Sequence, residues 1–134
     1  MIVELLAVAD HASVTKEDKL NILGIFSEIN ATELPARHLI MAVVFQVIAS
    51  ANETGTTHEM SIALLDPDGV ELQAVNGEVE IPSGLSDVRL NGIINLSGLV
   101  FEKEGRHEVA LLIHGERARS VSFIVHKIRP KANA

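Results

Sequence analysis

The 134-residue chain has no cysteine, no tryptophan and no tyrosine, and only four phenylalanines. Without cysteine there can be no disulfide, no thiolate metal ligand and no cysteine nucleophile. Few aromatic rings are present on which unpaired nucleic-acid bases could stack, and the same physics applies to sugar rings, so both ligand classes are disfavoured. The lack of cysteine leaves the redox compartment open, because secreted proteins can lack cysteine too.

Positive charge is scarce as well. The chain has 11 lysines and arginines against 18 aspartates and glutamates, which gives a formal net charge of −7. Its densest basic stretches, residues 117–119 and 127–131, are short. DNA binding depends on lysine and arginine side chains that neutralise phosphates. Nucleic acid is therefore not predicted as a partner.

No apolar stretch is long enough to cross a membrane as a helix. The most apolar run, residues 39–51, contains Gln46, and a spanning helix needs about 20 consecutive apolar residues. The apolar start of the chain carries Glu4 and no lysine or arginine, unlike the basic first region of a signal peptide. We therefore expect no membrane partner and a cytoplasmic location.

The chain is rich in apolar residues, which make up 47% of it, and most of them are spaced two apart. Met60, Ile62 and Leu64 alternate with Glu59 and Ser61, for example. This period is typical of a strand with one buried face. Short segments of glycine, proline or charged residues separate such runs, and no segment has a convincing helical period.

This pattern predicts an all-β fold, an antiparallel β-sandwich of immunoglobulin-like or jelly-roll type with little or no helix. We expect a single domain over residues 1–128 and a flexible tail over residues 129–134. About eight strands are predicted, at residues 2–14, 20–29, 39–49, 57–65, 70–75, 87–97, 106–114 and 118–128.

The segment Asp66-Pro67-Asp68-Gly69 resembles the start of a calcium-binding loop. An EF-type loop requires spaced acidic or amide ligands and a distal glutamate, whereas here the glycine directly follows the second aspartate. Proline suits the second position of a type I turn, and glycine can adopt the left-handed conformation that follows. We therefore predict a hairpin turn between the strands that contain Leu64 and Leu72.

Residues 39–49 are apolar on both faces of the predicted strand, with Gln46 as the one polar side chain. Residues 20–29 are similar, whereas an antiparallel sheet usually leaves one face in water. Soluble monomers rarely expose an apolar patch of this size. We predict a homo-oligomer, most simply a two-fold dimer; the alternative is that the N-terminal strand or a loop folds back over this face. The predicted interface residues are Ile40, Ala42, Val44, Ile48, Leu23 and Ile25.

The six histidines form no H-x-H or H-x-x-x-H pair. His107 and His114 are seven residues apart on one predicted strand. At ~3.3 Å per residue they lie about 23 Å apart and cannot share a metal ion. A zinc site built by histidines from separate strands stays open. The chain has no G-x-S-x-G motif and no phosphate-binding glycine loop. We therefore predict no catalytic residue, no enzyme activity, no cofactor and no assigned metal ligand.

Three stretches carry a resemblance to a known family. They are AVADHASVTKEDKLNILGIFSEI near the start, IALLDPDGVEL in the middle and EGRHEVALLIHGERARSVSFIV near the end. They resemble short bacterial all-β proteins of unknown function, of about 130 residues, in which three hairpins carry K-L-N-I-x-G-like, L-x-D-x-D-G-like and G-x-(H/Y)-E-V-like sequences. The resemblance covers most of the chain. Its motifs are turn and core motifs, so it implies a fold and no catalytic residues.

These observations favour a non-catalytic interaction or assembly module that binds itself, an unidentified protein, or both. Binding is expected through an apolar sheet surface or an exposed edge strand. The alternative is a sandwich that binds a small molecule or a metal and that could be an enzyme. A ligand-binding protein should contain an apolar cleft with convergent polar groups, whereas an assembly module should present an apolar patch.

Overall fold

The computed structural model describes residues 1–128, and the predicted tail at 129–134 lies outside the described residues. The prediction of an all-β fold is confirmed, with nine strands in the described part of the chain where about eight were predicted. One three-residue 3-10 helix, Ala51–Glu53, interrupts them. The strands are β1 (Ile2–Val14), β2 (Leu20–Ile25), β3 (Glu28–Ala31), β4 (Ala36–Ala49), β5 (Thr57–Leu65), β6 (Glu71–Glu80), β7 (Val88–Phe101), β8 (Gly105–Ile113) and β9 (Glu116–Lys127).

The strands form two sheets, one of four strands in the order β2-β1-β4-β7 and one of five in the order β3-β9-β8-β5-β6. Neighbouring strands are antiparallel except for β3 and β9, which run parallel. The order β1-β4-β7 corresponds to strands A, B and E of an immunoglobulin sandwich, and β9-β8-β5-β6 corresponds to G, F, C and C′. The connectivity therefore favours the immunoglobulin-like alternative over the jelly roll.

The extra strand arises because the predicted strand 20–29 is two strands in different sheets. Phe26 still bonds to β1, where its N–H donates to the Val8 carbonyl at 3.2 Å. One residue later the Ser27 carbonyl accepts from Ile124 of β9 at 2.8 Å. The chain thus crosses from one sheet to the other between Phe26 and Ser27, where the polar pair Ser27 and Glu28 separates the apolar residues of β2 from Ile29.

The core lies between the facing sides of the two sheets. Phe101 of β7 and Phe123 of β9 meet edge to face at its centre, with ring centroids 5.7 Å apart. Close to one side, Phe45 of β4 lies over Gly92 of β7, its cross-strand partner. A Cβ atom at Gly92 would lie 2.1–2.7 Å from the ring carbons of Phe45, so the ring occupies the place of a side chain. Aromatic cover of a strand glycine is a known stabilising device in sheets.

The middle of the outer face of β4 is covered by the same chain. Ala42 and Val44 are fully buried there and pack against Ala12, with Leu20, Ile22 and Ile93 beside them. The β1–β2 hairpin folds back over this face, and its turn reaches β7, where the Asn91 amide donates to the Asp18 carbonyl at 2.9 Å. Ala42 and Val44, which were predicted to lie at an interface, are therefore buried without a second subunit. The alternative, a fold-back of the N-terminal strand, accounts for their burial.

Candidate functional site

The outer edge of β2 is the most exposed apolar feature at a sheet edge. β2 ends the four-stranded sheet and has β1 as its only neighbour in that sheet. Leu23 and Ile25 point to one face and are 62% and 65% exposed. The strand LNILGI contains no charged residue and no proline. Unprotected edges of this kind readily pair with another strand, because their backbone N–H and C=O groups lack partners.

The other three sheet edges carry protective features. β6 bears Glu71, Glu78 and Glu80, and charges on an edge strand oppose pairing with another chain. β3 is only four residues long and begins with a glutamate. β7 carries Arg89, whose guanidinium lies 3.0 Å from the Glu4 carboxylate. Among the described edges, β2 is therefore the one that lacks such protection.

The structure divides the six predicted interface residues into three groups, namely exposed, partly buried and buried. Leu23, Ile25 and Ile40 are exposed, and Ile40 retains 53% of its surface. Ile48 is partly buried, and the remaining two residues lie under the β1–β2 hairpin. Because Ala9 pairs with Ile25 on one side and with Ala42 on the other, Ile25 is in register with the buried part of β4. Leu23 and Ile25 of β2 are exposed, whereas Ala42 and Val44 of β4 are buried. The surface available to a partner is therefore centred on β2 and not on β4.

The Asp66–Gly69 segment forms the predicted hairpin turn. Gly69 has a left-handed φ of +82°, and the Asp66 carboxylate accepts from the Asp68 and Val70 N–H groups, both at 2.9 Å. The Lys103 ammonium lies 3.3 Å from Asp66 and 2.5 Å from Asp68. The Val70 N–H, and after it Lys103 and the Asp68 N–H, hold the pKa of Asp66 below its usual value despite the opposing effect of desolvation. Both carboxylates thus pair with Lys103, and that of Asp66 also accepts hydrogen bonds within the turn.

The histidines occupy different environments. His107 is buried in the core, stacked on Phe123 with a centroid distance of 5.5 Å, and its Nδ1 lies 3.1 Å from the Gly105 carbonyl. Burial lowers the pKa of His107, so the neutral ring is favoured and its Nδ1 donates to that carbonyl. On the surface, His58 Nδ1 lies 2.8 Å from His114 Nε2. This last contact joins a histidine of β5 to one in the turn between β8 and β9, which sequence spacing could not identify.

Neither the cleft between β3 and β4 nor the apolar slot beside Phe45 has the usual form of a ligand pocket. A cleft of about 530 Å³ lies between β3 and β4, lined by Asn30, Thr32 and Arg37 with His38 at its side, and its lining is more polar than apolar. The His38 Nε2 atom is buried without a hydrogen-bond partner among the described residues. An apolar slot next to Phe45 has a volume of only about 160 Å³. Ligand pockets are mostly apolar and measure about 300–1,000 Å³.

Within residues 1–128, no group of three or more histidine, aspartate or glutamate side chains is arranged to hold a metal ion. No helix in that range is long and apolar enough to cross a membrane.

Comparison with known proteins supplies a family and a fold. The model of a family of unknown function, DUF6941, matches residues 4–126, and no curated protein matches the chain. The Pseudomonas fluorescens alkylpurine DNA glycosylase AlkC, solved with DNA containing an abasic site analogue, superposes with a TM-score of 0.51 at 14% identity. The chain is covered to 93% in that superposition but spans only 30% of the glycosylase.

A second structure is an immunoglobulin-like protein from Pseudomonas aeruginosa, with a TM-score of 0.46 and 12% identity. Its superposition covers 93% of this chain and 95% of that protein. At 14% identity, the likeness to the glycosylase shows a shared fold and nothing about activity.

Proposed function

Since the chain belongs to the DUF6941 family of unknown function, we propose from its geometry that the domain is a non-catalytic assembly module that pairs with a second copy of itself. The family match confirms the resemblance to all-β proteins of unknown function that the sequence indicated. The single observation that supports self-association is the uncharged, apolar outer edge of β2. A cytoplasmic location stays a prediction.

A second copy of β2 suits this edge better than a strand of unrelated sequence. Two β2 strands paired antiparallel are related by a two-fold axis, which closes the assembly as a dimer. Leu23 and Ile25 share a face, so the same residues of the second copy lie beside them on one surface. Because β2 contains no charged residue, pairing it with itself brings no like charges together.

The energetics predict a weak dimer. Fully burying a leucine or isoleucine side chain contributes about 1.5–3 kcal/mol, and each added backbone hydrogen bond contributes about 1 kcal/mol. Association itself costs about 4–15 kcal/mol in lost translational and rotational freedom. Two exposed side chains from each copy and a six-residue strand exceed that cost only modestly. We therefore expect dimerisation to depend on protein concentration.

The test is sedimentation velocity over a range of protein concentrations, with Leu23→Lys as the disruptive variant. Lysine on an edge strand is a common natural device against strand pairing. Leu85→Lys is the matched control, because Leu85 is a fully exposed leucine in the segment between β6 and β7. The wild type and Leu85→Lys should sediment as dimers at high concentration, and Leu23→Lys should stay near the 14.5 kDa monomer mass.

Circular dichroism and thermal melting would establish that both variants are folded. A wild type that remains monomeric at all concentrations would contradict self-association. Equal dimerisation of the two lysine variants would show that the contact lies elsewhere than the β2 edge.

A further inference from the structure

A pair of surface histidines forms a second site, independent of the β2 edge. His58 lies near the start of β5, and His114 lies in the two-residue turn between β8 and β9. The pairing of Met60 with Ile113 places these two segments side by side. The His114 N–H also donates to the Glu59 carbonyl at 2.9 Å. The turn that carries one imidazole is thus hydrogen-bonded to the strand that carries the other.

The backbone of His114 adopts a left-handed conformation. His114 and Gly115 both have left-handed φ values, +52° and +78°, which is the pattern of a type I′ hairpin turn. Asparagine, aspartate or glycine is preferred at the first of these positions. Among other residues, histidine is itself enriched in the left-handed conformation, which often occurs at functional positions. The turn therefore accommodates His114 and brings its ring into contact with that of His58.

A neighbouring threonine sets the tautomer of the neutral His58 ring. The Thr56 hydroxyl donates to the Glu53 carbonyl, so its oxygen is left to accept the hydrogen bond with His58 Nε2 at 2.6 Å. In the neutral ring, Nε2 then carries the proton and Nδ1 presents a lone pair. An oxygen partner on the far nitrogen is the usual arrangement for a metal-binding histidine, because it fixes the tautomer and the ring orientation.

We propose that His58 Nδ1 and His114 Nε2 bind one divalent transition metal ion as a pair, with Cu²⁺ or Ni²⁺ as the best match. A metal bonds imidazole nitrogen at about 2.0–2.1 Å, so two nitrogens at a right angle around it lie about 2.9 Å apart. The observed separation is 2.8 Å. Square-planar or tetragonal sites with nitrogen ligands are typical of Cu²⁺ and Ni²⁺.

Binding requires one proton to move. In the metal-free pair, His114 Nε2–H donates to the lone pair of His58 Nδ1. When the metal enters, His114 keeps its proton on Nδ1 instead, and both inward nitrogens become ligands without a change in the charge of either ring. The remaining coordination positions belong to water, because the pair lies at the surface.

The test is titration of untagged protein with Cu²⁺, followed by calorimetry and by electron paramagnetic resonance. His114→Asn is the main variant, since asparagine suits the left-handed turn position and lacks the imidazole. His58→Gln removes the other ligand, and His126→Ala removes an exposed histidine on β9 as the control. We expect one Cu²⁺ per chain, nitrogen hyperfine structure in the wild type, and at least tenfold weaker binding in both ligand variants.

His126→Ala should bind like the wild type. Equal Cu²⁺ affinity in the wild type and His114→Asn would overturn the proposal. An equal loss in His126→Ala would do so as well, since it would indicate scattered single-histidine binding. Melting curves of His114→Asn without metal would show whether the turn is intact, and His58→Gln tests the site without altering the turn.

Discussion

At the residue scale, the contact between Gly92 and Phe45 shows how one missing side chain shapes the core. A glycine inside a strand usually weakens it, and here the ring of its cross-strand partner takes the vacant space. The sequence places Gly92 on the apolar face of its strand and so indicates either a bulge or a close neighbour. The structure shows the close neighbour, and the register between β4 and β7 is continuous at this point.

Replacing Gly92 with alanine should destabilise the protein, because the new methyl group would overlap the Phe45 ring. Overpacking of this kind typically costs about 1–3 kcal/mol, measurable as a lower free energy of unfolding in urea. Gly77→Ala in β6 is the matched control, since nothing lies within 4 Å of a Cβ atom placed there. Equal stability of the two alanine variants would show that Phe45 moves aside without cost.

His107 should make the stability of the domain depend on pH. Burial lowers its pKa from the ordinary value of 6.5, so the unfolded chain binds a proton more readily than the folded one. The associated stability is fully present above pH 6.5 and is lost as the pH falls towards the folded pKa. In His107→Phe, an aromatic replacement beside Phe101 and Phe123, this part of the decline should disappear.

Urea denaturation of the wild type and His107→Phe at pH 7.5 and 5.5 would measure the difference. At pH 7.5 the variant should lose about 1 kcal/mol from the hydrogen bond to the Gly105 carbonyl. At pH 5.5 the difference in free energy of unfolding between the wild type and His107→Phe should narrow or reverse. Parallel decline of both proteins would mean that His107 does not account for the pH dependence.

At the element scale, sequence period predicted most strands well but does not indicate which sheet a strand joins. β1 and β5 match their predicted ranges, because each has one buried face and a clear turn at its ends. The split between β2 and β3 was missed, since Phe26 and Ile29 stand on either side of the crossing and two polar residues are too short a segment to indicate a change of sheet. The two-faced pattern of β4 correctly indicated a second cover. It could not indicate whether that cover came from the same chain.

The two candidate sites also depend on which strands are neighbours, and the sequence does not show this. Exposure of Leu23 and Ile25 could be anticipated from an apolar strand, but the unpaired edge depends on the strand order. The contact between His58 and His114 joins residues 56 positions apart. It follows from the β5–β8 pairing, and no local pattern in the sequence encodes that pairing.

The fold-back of the β1–β2 hairpin predicts different effects for two substitutions on one face of β4. Val44→Glu would bury an unpaired carboxylate beneath the hairpin and should cost more than about 3 kcal/mol. Ile40→Glu, on the same face but half exposed, should have little effect. Chemical denaturation at concentrations where the protein is monomeric would compare them. If Val44→Glu were as stable as Ile40→Glu, the hairpin would not close over β4 in solution.

At the scale of the whole molecule, net charge opposes the proposed dimer. Each chain carries a formal charge of −7, so two copies bring −14 together (2 × −7), and the repulsion acts over the Debye length. That length falls from about 30 Å at 0.01 M salt to about 3 Å at 1 M. Because the β2 edge contributes no charge of its own, salt should weaken the repulsion without weakening the contact.

The dissociation constant should therefore fall severalfold between 20 mM and 500 mM sodium chloride, as measured by sedimentation equilibrium. Leu23→Lys should remain monomeric under all these conditions. A dimer that dissociates as salt is added would instead be held by ion pairs, and β2 would not be its interface.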